Sequence, residues 1–428
     1  MARWRRGRAA LVALLALIWA CGPLPDAGAS DEPRAQSPGA VGVELPLLDI
    51  RVEGGGLPGD EDTPGLLRLT EPDGAGGSRV LETPVLIRLR GNTSRRFPKK
   101  SYRLKLVDAS GDKVKLSLCG LRADDDWILN PMYSDTSKIR EALSLWLWEA
   151  VNSCGQAARA SGLAYAEVRL NGEYWGLYAL QERVDRKQVG ADRQRGVLYK
   201  VAANDRLTAA ELLAAGRATT CRGLELAFAG DGVDAPWAPA ADYLAFLDGE
   251  AIPGGARLSR ENAVDYGIWS LVTQAGDNHF KNMFIHCVPQ AGGYVLYRIP
   301  WDLDHTLGDR WDGDSPDTNY LAYEVGELAL DDALVRLLAE GDEAFADALR
   351  ERWRALRAGP LREEAILERA RALFEGIYPA LLRDTERWPA CGMGEGSAAN
   401  IRDIEDAVRV TLARVDGWME AGLPLPAR

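Results

Sequence analysis

Apolar and polar residues alternate along Leu47-Leu48-Asp49-Ile50-Arg51-Val52 and Val85-Leu86-Ile87-Arg88-Leu89-Arg90. The same alternation runs along Lys99-Lys100-Ser101-Tyr102-Arg103-Leu104-Lys105-Leu106. A period of two predicts three strands, with Gly91 to Pro98 as the turn between the second and third. In the third, Lys100 shares a face with Tyr102, Leu104 and Leu106, whereas Lys99, Arg103 and Lys105 share the other. Lys100 is therefore expected to point inward, where it needs an anion because burying an unpaired charge is costly. Ser134, Asp135 or Thr136 can cap a helix carrying Ile139, Leu143, Trp146 and Ala150 on one stripe. Asn171-Gly172 between apolar runs at 168–170 and 174–180 predicts a hairpin, with Glu182 directly after it. The Ala-rich stretch 200–258 reads as mainly helical, with a loop at 229–239. A helix from about 260 to 275 ends at Gly276 and leads into the loop Asp277-Asn278-His279-Phe280-Lys281-Asn282. Strands at 283–288 and 294–299 form a second hairpin that runs into Pro300-Trp301-Asp302-Leu303-Asp304. Amphipathic helices fill roughly 327–428.

Composition narrows the function. The 428 residues are 46% hydrophobic and 27% charged, ordinary for a globular protein, and the net charge of −12 gives no broad basic field for a nucleic acid polymer. Arg3, Arg5, Arg6 and Arg8 precede an apolar run at 9–20, the pattern of a secretory signal and too short to span a bilayer comfortably. Two processing sites fit: a lipobox-like Ile18-Trp19-Ala20-Cys21-Gly22, or Ala27-Gly28-Ala29. The expected organisation is a signal peptide at 1–29, a disordered Pro/Gly/Ala-rich linker at 30–44 and a folded domain at 45–428. The chain is thus read as exported, either secreted or lipid-anchored in the bacterial cell envelope, with no other membrane contact. Cys119, Cys154, Cys221, Cys287 and Cys391 contain no CxxC pair, which argues against a zinc ribbon, while export permits disulfides among them.

The candidate chemistry lies around the second hairpin. Folding it back brings its outer ends together, and with them Asp277, Asn282, Asp302 and Asp304. Hard oxygens of this kind suit Mg²⁺ or Mn²⁺ completed by phosphate oxygens. The order matches the lower lobe of protein kinases, where a catalytic Asp and a metal-binding Asn are separated by four residues and a hairpin leads to a second metal-binding Asp. G-x-G-x-x-G, H-R-D and D-F-G are all absent. His279, His286 and His305 show no metal spacing and are read as structural, with His305 placed to support Asp304.

These segments resemble the spore coat protein H (CotH) kinase-like family. The likeness rests on Ile87 to Ser94, Phe97-Pro98-Lys99-Lys100-Ser101-Tyr102, Asp135-Thr136 with Arg140, Leu170 to Tyr178 with Glu182, Asp277 with Lys281-Asn282, and Trp301-Asp302-Leu303-Asp304. It implies an α+β, atypical protein-kinase-like two-lobed fold, with a β-rich N-terminal lobe at about 45–182 and a mostly helical C-terminal lobe at about 183–428. It further implies ATP and a divalent metal, and transfer of phosphate to Ser or Thr of a partner protein or of the chain itself. Carried over, Asp277 looks like the catalytic Asp and Asn282 and Asp302 like metal ligands, with Asp304 a second acidic ligand. Lys100 looks like a nucleotide-phosphate contact, aided by Arg88 or Arg90, with Arg140 also on the nucleotide side and Glu182 at the lobe junction near adenine. One departure is Glu141, which follows Arg140 where family members often carry Asn. The competing readings are a catalytically silent kinase-fold protein for binding or envelope assembly, and another metal-dependent phosphotransferase.

Overall fold

Seven strands close into a barrel at the N-terminal end of the folded chain. In this computed structural model residues 44–73, 77–203, 207–247, 255–309, 342–389 and 401–422 are described. The signal sequence, the lipobox-like segment, the linker and Cys391 lie outside them. The strands are β1 (Leu47–Val52), β2 (Thr63–Pro72), β3 (Ser78–Leu89), β4 (Tyr102–Leu106), β5 (Asp126–Asn130), β6 (Leu163–Leu170) and β7 (Glu173–Glu182). Their order around the barrel is β1-β2-β3-β4-β5-β7-β6, closed by β1 pairing in parallel with β6. The predicted alternation sets the inside and outside. Tyr102, Leu104 and Leu106 of β4 join Leu48, Ile50, Val85, Ile87, Trp127 and Val168 in the barrel core. Arg103 and Lys105 face outward and pair with Asp126 and Asp62. Asn171 and Gly172, at φ 54° and 87°, turn β6 into β7 as an Asn-Gly hairpin requires.

After the barrel comes a second core. A six-stranded sheet, ordered β11-β13-β12-β8-β10-β9, comprises β8 (Val197–Val201), β9 (Thr220–Cys221), β10 (Leu224–Ala229), β11 (Arg257–Leu258), β12 (Met283–Gln290) and β13 (Gly293–Pro300). The longest helices among the described residues are α1 (Arg140–Val151), α2 (Arg260–Thr273), α3 (Glu343–Arg357), α4 (Glu363–Arg387) and α5 (Ile401–Ala421). The expected β-rich N-terminal region and helix-bearing C-terminal region are both present. The N-terminal sheet, however, is a closed barrel and not an obviously kinase-like open sheet, and the C-terminal part carries strands as well as helices.

The stretch 200–258 is correspondingly not mainly helical. It holds two short helices, Ala209–Ala214 and Ala238–Leu247, among β9, β10 and β11. Just before it, β8 sits between β12 and β10, and four of its five residues are buried. A strand covered on both faces has no alternation to read. Cys119, Cys154, Cys221 and Cys287 are free thiols, so the described residues contain none of the disulfides that export would permit.

Candidate active site

The helix α2 ends at Gln274, and the chain passes through a single 3-10 turn, Asp277–His279, before entering β12. The β12–β13 register sets Met283 opposite Pro300, so Asn282 and Asp302 flank the open base of the hairpin as its alternation predicted. Three bonds tie that base. The Trp301 amide donates to Asn282 O at 3.1 Å, and the Asn278 side chain donates to both Asn282 O (2.5 Å) and Trp301 O (2.9 Å). Asn282 and Asp302 both adopt left-handed backbone, at φ 55° and 61°. Such conformations are uncommon outside glycine and persist where surrounding bonds hold them.

Asp277 accepts from Lys281 Nζ at 2.8 Å and stands 3.5 Å from Asn282 Nδ2. Asp304 accepts from Ser134 Oγ at 2.6 Å. His305 bridges Asp304 (3.8 Å) and Asp309 (3.5 Å). Burial works against its charge, yet Asp309, Asp304 and Asp277 push His305 up to about 9, so it is a cation at neutral pH. Asp302 is exposed to solvent, yet many protein atoms surround its carboxylate. Burial, then the like charge of Asp304, push Asp302 up to about 6, with Arg90, His305 and Lys200 opposing.

The remaining candidates divide. Arg90 lies just past the end of β3 and so leaves the outward face that Arg88 occupies. It packs over the Trp301 ring at 6.0 Å and interacts with Asp302 and Glu141. Arg88 instead meets Asp62 at 3.4 Å on the outside of the barrel. The inward lysine is Lys99 and not Lys100. Both precede β4, where strand periodicity does not hold. Lys100 donates to the Arg95 carbonyl at 2.7 Å, while Lys99 is fully buried and donates to Asp384 at 2.6 Å and Pro131 O at 2.9 Å. Arg140 is buried as a bracket, bonding Asp135 (2.7 Å) and Thr306 O (3.0 Å), and so laces the start of α1 to the loop after Asp304. Both oxygens of Glu182 are taken by backbone amides, those of Arg122 (2.9 Å) and Gly162 (3.1 Å), which makes it a brace within the barrel.

Glu141, Lys200 and Lys281 join the site without having been singled out as site residues by the sequence. The signal for Glu141 was its placement one residue after Arg140; that for Lys281 was its spacing of four from Asp277. A model of the CotH kinase protein family matches residues 87–410. The chain belongs to the CotH kinase protein family. No curated protein matches the sequence significantly. The family match spans the barrel from the end of β3, the six-stranded sheet and most of the C-terminal helices, so it covers every site residue named above.

Among the described residues no three His, Cys, Asp or Glu side chains are grouped to hold a metal ion by themselves. The oxygen donors that could hold one are Asp302, Asp304 and the side-chain amide of Asn282. This fits Mg²⁺ or Mn²⁺, which take one or two protein carboxylates and leave their other positions to phosphate and water. The raised Asp302 agrees, since a cation would relieve the crowding of like charge there.

Glu141 is pushed up to about 8, first by burial and then by the charge of Asp302, against 4.5 for an ordinary Glu. The folded protein thus holds a proton that the unfolded chain releases. That contribution is complete below about pH 4.5 and is lost as pH rises through about 8. Unfolding midpoints of the cation-free wild type and Glu141→Gln are expected to coincide at or below about pH 4.5. By about pH 8.5 the wild type should fall several degrees below the variant. Lys99, His279 and His305 titrate alike in both proteins and cancel. A difference that does not change with pH would mean that Glu141 ionises as an ordinary carboxylate.

Proposed function

We propose that this family member is an exported atypical protein kinase that transfers the γ-phosphate of ATP to Ser or Thr of a partner protein or of itself. The observation that carries the reading is the pairing of Asp277 and Asn282 on the loop after α2 with Asp302 across the base of the β12–β13 hairpin. This is the spacing and order of the phosphotransfer loop of kinases, here beside a barrel and not an open sheet. Asp277 would orient a substrate hydroxyl and accept its proton. Lys281, 2.8 Å away, would pair with that carboxylate and lie close to the transferred group. Asn282 and Asp302, with Asp304, would hold Mg²⁺ or Mn²⁺, which would supply positive charge to offset that of the nucleotide phosphates. Arg90 and Lys200, two of the three cations acting on Asp302, would face the nucleotide phosphates.

The mature protein incubated with γ-labelled ATP and Mn²⁺ is expected to label itself or an envelope protein. Asp302→Ala, or chelation of the metal, is expected to remove the label. Unlabelled wild type with nucleotide binding intact would favour the silent, binding-only reading, in line with the lack of a three-carboxylate metal group among the described residues.

A further inference from the structure

Asn282 and Asp302 face each other across the base of the β12–β13 hairpin, and both hold a left-handed backbone. Neither is a glycine, so the conformation persists only where surrounding bonds hold it. One buried side chain makes two of those bonds. Asn278 is 1% exposed and uses both hydrogens of its amide on this base, one on Asn282 O at 2.5 Å and one on Trp301 O at 2.9 Å. The first carbonyl belongs to the peptide that follows Asn282, and the second to the peptide that precedes Asp302. A single planar group therefore sets the backbone at both residues, and with it the directions in which their side chains leave the chain. The Trp301 amide, donating to Asn282 O at 3.1 Å, closes the same arrangement.

Asn278 is itself held from α2. Its own amide donates to Ala275 O at 3.1 Å, and its carbonyl accepts from the Tyr266 hydroxyl at 2.9 Å. Tyr266 is buried, with the Arg298 guanidinium of β13 4.3 Å over its ring. Asn278 also follows Asp277 directly in the 3-10 turn. An asparagine that only closed this turn would need one of the two carbonyls. Holding both fixes the separation of the segments that carry Asn282 and Asp302, and refers both of them to the turn that carries Asp277.

We propose that Asn278 is a positioning residue of the phosphotransfer site, which fixes the spacing of Asn282 and Asp302, and so their joint grip on a divalent ion, without touching the ion. This rests on the reading of Asn282 and Asp302 as metal ligands. Removing an outer group that orients ligands in this way lowers metal affinity by factors of about 10 to 100.

The test is titration of the folded mature protein with Mn²⁺ alone, followed by electron paramagnetic resonance of the free ion, beside thermal unfolding without metal. Asn278→Ala removes both donors and is expected to weaken Mn²⁺ binding about tenfold. Asn278→Asp keeps the size, removes the donors and adds a negative charge. Charge alone would tighten Mn²⁺ binding, so weaker binding by this variant marks lost geometry. Tyr266→Phe keeps Asn278 and removes only the bond to its carbonyl, and a loss of roughly two- to threefold is expected. It decides the matter if neither substitution at 278 folds. Wild-type affinity in the folded variants overturns the proposal, even with a lowered unfolding midpoint, since a purely structural asparagine would move the midpoint alone. Tighter binding by Asn278→Asp overturns it as well. If the wild type does not bind Mn²⁺ and Asp302→Ala is indistinguishable from it, the metal-site reading itself falls and takes the proposal with it.

Discussion

Asp277→Asn is expected to lower the rate of phosphate transfer by about 10²- to 10⁴-fold, the range that a positioned general base contributes. The substitution is nearly isosteric, so the 3-10 turn and the base of the hairpin should persist, held as they are by Asn278 and the backbone. What changes is the proton acceptor. An amide cannot take a proton from a substrate hydroxyl, and it no longer offers Lys281 a charge at 2.8 Å. ATP affinity, measured by isothermal titration, should stay within a few-fold of wild type, because Asp302 and Asn282 remain in place. Single-turnover transfer from labelled ATP separates the two quantities. A rate within threefold of wild type would remove Asp277 from the role of base and shift attention to the neighbouring carboxylates.

The second large effect is on stability. Asp384→Ala is expected to destabilise the folded protein by about 3–5 kcal/mol, because it leaves a buried ammonium without its carboxylate. Asp384 lies near the end of α4 and reaches into the barrel, where one oxygen accepts from Lys99 (2.6 Å) and from the Leu177 amide (2.8 Å). The Lys99 ammonium is fully buried, also bonds the Leu177 carbonyl, and stands 4.5 Å over the Tyr178 ring. Burial lowers it to about 7 while Asp384 opposes that shift. Fully buried, Lys99 has protein acceptors and no contact with bulk water. Gly176 completes the arrangement. Its φ is +121°, and an added Cβ would stand 2.3 Å from the Asp384 carboxylate and 3.2 Å from Lys99 Cε. Urea unfolding of Asp384→Ala, Lys99→Met and the double variant measures the pair. The double variant should be less damaged than the sum of the singles, since neither charge is then left alone. Additive losses would mean that the two side chains do not act as a pair.

The Lys99 cluster also gives a structural role to part of the family resemblance. Lys99 from Phe97-Pro98-Lys99-Lys100-Ser101-Tyr102 and Trp175-Gly176-Leu177 from the first hairpin meet on α4, where Trp388 Nε1 donates to Trp175 O at 2.7 Å. A run of characteristic residues does not tell a reader whether it serves a ligand or a helix docked from more than two hundred positions later. The choice between Lys99 and Lys100 failed for a local reason. The two residues precede β4, where the period of two does not yet apply.

By itself the sequence determined the period-two strands of the barrel, the two hairpins, the helix before Asp277 and the convergence of Asp277, Asn282 and Asp302. It determined these because each depends on neighbours within a few residues or on one hairpin folding back. It also determined the family, through motifs spread over most of the chain. Only the tertiary structure decided that the N-terminal strands close into a barrel, since closure depends on β1 meeting β6 across more than a hundred residues. Only it separated Arg90 from Arg88, turned Glu182 and Arg140 into braces, buried Lys99 against Asp384, and set Glu141 among the site carboxylates. The physical reason is common to all of these. What a charged side chain does is set by which charges and how much water surround it, and those surroundings come from segments far apart in sequence.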